Sequence, residues 1–91
     1  MKNLRLTSAF KKDLKRITRR NYDRALLEVV IDTLRTDRAL PPATRDHPLK
    51  GEWKGWRECH IEPVWLLIYR ATDNNELLLA RTGTHADLLG N

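Results

Sequence analysis

Phe10, Leu14 and Ile17 recur at the period of an α-helix, with lysines and arginines filling most of the gaps. The spacing predicts an amphipathic helix from Ser8 to about Arg19, capped by Thr7 or Ser8 and strongly cationic on its outer face. Ahead of it, Asn3 to Leu6 alternates, with Leu4 and Leu6 on one side, and predicts a short strand. From Tyr22 to about Thr36, a wider apolar stripe (Tyr22, Leu26, Leu27, Val30, Ile31, Leu34) predicts a second helix packed on a core, so the two form a hairpin. Pro41 and Pro42 exclude continued helix, and the polar stretch to Asp46 is a connection.

After Gly55 the period changes. Trp56 to Glu62, Trp65 to Ala71 and Glu76 to Thr84 are rich in aromatic and aliphatic residues and are separated by "EP" and "DNN" turn signals, which predicts three antiparallel strands. The closing "HADLLG" has room for one helical turn. The fold class expected is α+β: an N-terminal strand and a helical hairpin packed on a small, mainly antiparallel sheet. At 91 residues the chain is expected to be one domain, residues 1–91.

Charge narrows the set of partners. The chain carries 17 Lys+Arg against 12 Asp+Glu, a formal net charge of +5, and "KKDLKRITRR" from Lys11 to Arg20 is its densest basic run. A cationic helix face of this kind suits a polyanion or an acidic protein and makes Lys11, Lys12, Lys15 and Arg16 candidate RNA contacts. Cys59 is the single cysteine, which excludes an intramolecular disulfide and fits a reducing compartment. There is no apolar run long enough to cross a membrane and no apolar core to "MKNLRLTSAF", so a cytoplasmic location is expected.

Candidate chemistry lies in the second half. On alternating strands Glu58 and His60 share one face, and Arg81, Gly83 and, if the strand runs on, His85 share another. No two histidines have the spacing that usually builds a metal site on one element, and no P-loop, serine elbow or dinucleotide fingerprint occurs, so neither metal nor cofactor is expected. Cys59 points away from His60, against thiol catalysis. Acid–base cleavage of RNA needs only a base for the 2′-hydroxyl, an acid for the departing 5′-oxygen and a cation for the phosphorane, which histidines with Arg81 or a lysine can supply. Lys54, Trp56 and Arg57 are available to RNA or to packing; Trp53 and Trp56 could stack on bases or cover a small core, whereas Trp65 in "WLLIY" belongs to the core.

Together, "DHPLKGEWKGWRECHIEP", "WLLIYR" and "RTGTHADLLG" resemble the YafQ branch of the RelE superfamily of bacterial toxin endoribonucleases. The resemblance implies a ribosome-dependent mRNA interferase that cuts the codon in the A site, prefers A-rich lysine codons, and is restrained by a cognate antitoxin in a hetero-oligomer. It places His47, His60 and His85 at the three family histidines, Glu58 at a family acidic position, His85 as general acid and Arg81 at the phosphate. The chain departs from the pattern twice: Val64 stands where the branch has a catalytic aspartate, and Leu89 where it has an aromatic that stacks on substrate. Val64 leaves His47, His60 or Glu58 as the base, or else a weakened enzyme. A ParE-like toxin that blocks gyrase by protein binding is the competing class, because fold alone does not separate the two.

Overall fold

The computed structural model describes residues 1–89; Gly90, the last residue of the third motif, and Asn91 lie outside the described residues. The elements run β1 (Asn3–Leu6), α1 (Ser8–Arg19), α2 (Arg24–Arg35), β2 (His47–Pro48), β3 (Arg57–Glu62), β4 (Trp65–Ala71), β5 (Glu76–Gly83) and α3 (His85–Leu89). One five-stranded sheet has the order β1-β5-β4-β3-β2; β1 runs parallel to β5 and the remaining pairs are antiparallel. The α+β expectation therefore holds, with two strand features that periodicity did not supply. The parallel pairing of β1 is a long-range contact, and β2 is too short to have a period. Pro48 suits β2 because an edge strand can do without one ladder donor.

Helix boundaries follow their caps. The Thr7 hydroxyl accepts from the Phe10 amide at 3.0 Å, and the Asp23 carboxylate accepts from the Ala25 amide at 3.0 Å, so α2 starts two residues later than its apolar stripe. Between the helices Asn21 takes the left-handed conformation, with φ of 60°. The hairpin covers one face of the sheet. There Phe10, Ile17, Leu27 and Val30 meet Cys59, Trp65, Leu67, Tyr69, Leu77 and Leu79, and Tyr22 packs edge-on to Trp65 at 4.9 Å.

The opposite face carries a second, smaller core: Leu66, Ile68, Ala80 and Leu88, flanked by Leu49, Trp53 and Trp56. This explains the unbroken apolar run of β4, a central strand whose two faces are both covered. Trp53 and Trp56 meet edge to face at 6.0 Å, and the Arg70 guanidinium lies 4.6 Å over the Trp56 ring. A bulge between Ile68 and Tyr69 leaves Ala80 without a direct partner, since Tyr69 pairs with Leu79 and Ile68 with Arg81.

Because β1 ends at Leu6, the outer edge of β5 beyond Leu79 has no strand beside it among the described residues. Side chains of the α1 region cover it instead: the Thr7 hydroxyl donates to the Ala80 carbonyl at 2.7 Å, and the Thr82 amide donates to the Asp13 carboxylate at 3.1 Å. That is the physical reason for a buried aspartate on an otherwise cationic helix.

Candidate active site

The three histidines come from three different elements and converge on one atom. Pairing of β2 with β3 sets His47 opposite Glu58, and the alternation of β3 puts His60 on the same face as Glu58. The chain leaves β5 at Gly83, whose φ is +149°, and Thr84 then opens α3 with His85 as its first residue. His85 thus reaches the site from a helix and not, as strand parity allowed, from an extension of β5. The Nε2 atoms of His47, His60 and His85 lie 3.3, 3.8 and 3.7 Å from Glu58 Oε1. The His60 and His85 rings stand edge to face with centroids 6.4 Å apart.

Backbone carbonyls orient two of the rings. Nδ1 of His47 donates to the Pro48 carbonyl at 3.1 Å and Nδ1 of His60 to the Pro63 carbonyl at 3.2 Å, which leaves Nε2 as the atom that accepts or delivers a proton. The side chain of Glu58 is only 4% exposed, against 47% for His47 and 57% for His85. Glu58 therefore lies beneath the rings, where its carboxyl is placed to orient the histidines.

Two clefts flank this centre. One, of about 330 Å3, is lined by Ala43, Thr44, Arg45 and the turn from His60 to Pro63. The other, of about 300 Å3, is lined by Pro63, Val64, Leu66, Thr84, His85 and Ala86. Val64 is 69% exposed on the turn between them and brings no proton chemistry to it. Arg45, in a left-handed conformation with φ of 49°, is a cation beside His60 that the sequence pattern did not single out.

The other candidates divide. Arg81 is not among the groups gathered on Glu58: its Nε and Nη2 donate to Asp13 at 2.7 and 3.1 Å, and that pairing raises its pKa. Arg16 shares Asp13 at 3.3 Å, and Arg57 donates to Asp46 at 3.2 Å, which also accepts from the Tyr69 hydroxyl at 2.5 Å. Burial, reinforced by Asp46, pushes the Tyr69 hydroxyl pKa up, so it stays protonated and fastens the residue before His47 to the sheet. One face of the Trp56 ring is taken by Arg70. Lys11, Lys12, Lys15 and Lys54 are exposed, as is Leu89 at the end of α3. Cys59 is fully buried in the helix-side core and its thiol is pushed up to about 12 by desolvation, with Asp46 and Glu58 adding to it.

His47, Glu58 and His60 also present ligand atoms that all lie within 4.8 Å of one another. Spacing within single elements missed this because β2 and β3 assemble the set across a strand pair.

Residues 2–90 match the family described as bacterial toxin of type II toxin–antitoxin system, YafQ. The mRNA interferase toxin YafQ of Escherichia coli K12 is 40% identical over 90 residues, covering 98% of this chain and 97% of that protein. The toxin in a crystal structure of the E. coli DinJ–YafQ complex superposes with a TM-score of 0.89 at 40% identity, covering 99% of this chain and 100% of that one. A copper-bound mutant toxin from Helicobacter pylori superposes at 0.91 with 43% identity, covering 97% of this chain and 99% of that one. The fold and these likenesses define a small RelE-like toxin. The chain belongs to the YafQ family of bacterial type II toxins.

Proposed function

We propose that the chain, as one domain of residues 1–91 acting in the cytoplasm, cleaves mRNA in the ribosomal A site by metal-independent acid–base catalysis. By family it is an mRNA interferase, a translation-inhibiting endoribonuclease. The convergence of three imidazole Nε2 atoms on the single buried oxygen of Glu58 carries the mechanism.

His60 and His85 stand edge to face with centroids 6.4 Å apart and their Nε2 atoms over the same Glu58 oxygen, so one phosphodiester lying across them can meet both. His60, the less exposed, takes the 2′-hydroxyl proton as base; His85, the more exposed, protonates the departing 5′-oxygen. His47, closest to Glu58, faces the phosphorane, and Arg45, which lines a cleft with His60, rather than Arg81, which Asp13 holds, is the arginine assigned to its charge. Val64 takes no part, so the base function passes from the loop to the histidine pair. The exposed lysines of α1 supply attraction to ribosomal RNA. The DinJ–YafQ complex supports a cognate antitoxin as the partner that restrains the chain in a hetero-oligomer.

The test is purified ribosomes programmed with a defined mRNA, with cleavage mapped by primer extension for the parent, His85→Ala and Val64→Asp. A-site cleavage by the parent that His85→Ala abolishes is expected. An inert parent whose activity returns in Val64→Asp would identify a weakened enzyme, and inhibition of supercoiling without RNA cleavage would support the gyrase-type class.

The ligand set of His47, Glu58 and His60, together with the copper-bound relative, favours a second reading in which a divalent transition-metal ion that prefers imidazole inhibits. Such an ion would occupy the Nε2 atoms that the reaction uses to move protons. Chelator should leave the rate unchanged and copper(II) should depress it, less so in His47→Ala. Loss of cleavage on adding chelator refutes the metal-independent mechanism.

A further inference from the structure

His85 stands at the first position of α3, a helix of 5 residues that is too short to support itself. Leu88, buried in the site-side core, anchors its far end. Its near end, where His85 sits, is held by Asp87. The Asp87 carboxylate accepts from the Thr84 amide at 3.0 Å, while the Thr84 hydroxyl accepts from the Asp87 amide at 3.2 Å, a reciprocal capping box around His85. The same carboxylate accepts from both terminal nitrogens of Arg20, the residue that caps the C-terminus of α1, at 2.7 and 3.2 Å, with Arg16 at 3.8 Å. Gly83 makes room for it: a Cβ there would lie 2.9 Å from Asp87 Oδ2 and 3.2 Å from its Cβ.

We propose that Asp87 and Arg20 are positioning residues for the nuclease reaction, a charged strut from α1 that fixes where His85 stands over Glu58. This rests on the assignment of His85 as the acid. The strut does a task that burial cannot do here. His85 is exposed and, among the described residues, its ring makes no backbone hydrogen bond of the kind that fixes His47 and His60, so beyond the Glu58 oxygen at 3.7 Å it is the helix turn carrying it that sets its place. The Arg20 guanidinium holds the Asp87 carboxyl well below the usual carboxylate range, so the strut stays charged at every physiological pH. Arg20 is itself 42% exposed, and exposed ion pairs contribute little to global stability. A defect after its removal therefore reports on geometry and not on unfolding.

The experiment compares Arg20→Ala, Arg20→Lys and Arg19→Ala with the parent in the programmed-ribosome assay, alongside NMR of the His85 ring and the amides of residues 84–88. Arg20→Ala should lower kcat on the order of 10- to 100-fold with KM nearly unchanged, as expected for a displaced catalytic group. Arg20→Lys should recover part of the rate, and Arg19→Ala, which removes a neighbouring exposed charge, should change only KM. The His85 and α3 signals should shift in Arg20→Ala alone, whether or not any variant cuts RNA. Unchanged signals overturn the strut, as does an Arg20→Ala defect confined to KM, which would make Arg20 one more RNA contact. A parent that does not cleave, with the signals shifting as expected, would instead count against the acid–base reading and leave the strut standing.

Discussion

Replacing Asp13 by alanine is the perturbation with the largest expected effect on folding. This carboxylate is 1% exposed and accepts from Arg81 at 2.7 and 3.1 Å, Arg16 at 3.3 Å and the Thr82 amide at 3.1 Å. Its removal leaves the Arg81 guanidinium without its paired carboxylate and the Thr82 amide, on the edge of β5 that has no neighbouring strand among the described residues, without an acceptor. Breaking a buried pair from one side costs about 3–5 kcal/mol, and an orphaned buried amide about 1–3 kcal/mol. Because both losses share one site they do not add, and about 4 kcal/mol is the figure to test, a large part of the roughly 5–15 kcal/mol a domain holds. Urea unfolding followed by tryptophan fluorescence reads it directly, since Trp65 lies in the core that unfolds. The double variant Asp13→Ala/Arg81→Ala supplies the control: taking away the stranded charge should return part of the loss. A single variant that loses under about 1 kcal/mol, or a double variant less stable than the single one, refutes this account of why an aspartate is buried there.

Three further outcomes follow from particular groups. Asp87 has a depressed folded-state pKa, so its contribution is complete above the unfolded carboxylate value near 4 and is lost as pH falls through the lower folded value; the stability gap between parent and Asp87→Asn should be full at pH 7 and narrow only below about pH 4, and a gap that widens on acidification contradicts the pairing. Cys59, fully buried with its thiol pushed up to about 12, should resist iodoacetamide in the native protein and react only on unfolding, so labelling at the rate of a free thiol would count against its placement. Reversing Lys11, Lys12 and Lys15 to glutamate should leave the urea midpoint near that of the parent while weakening ribosome association and flattening its salt dependence; an unchanged salt slope would remove α1 from the docking surface.

Most of the framework was legible because it rests on local period. Phe10, Leu14 and Ile17 marked α1, and "WLLIY" marked a strand with Trp65 in the core, while the covering of both its faces came only with the fold. The histidines could be nominated individually, and strand alternation correctly joined His60 to Glu58. What lay out of reach were contacts between residues far apart in the chain. Asp13 reads as one acid among helix cations until Arg81 and Thr82 are folded against it, and that contact removes Arg81 from the open site. Asp87 reads as an ordinary acid in a tail until Arg20 meets it. The two-residue β2 likewise hid the proximity of His47 to Glu58, which no period could announce.

The two separate cores, one on each face of a single sheet, carry a consequence for how such a chain can change. The helix-side core lies away from the histidines, and the site-side cluster of Leu66, Ile68, Ala80 and Leu88 with Leu49, Trp53 and Trp56 is small and includes neighbours of β2 and of the short helix that bear His47 and His85. Substitutions on that side can displace the histidines and so silence the site, while the hairpin and the core beneath it keep their shape.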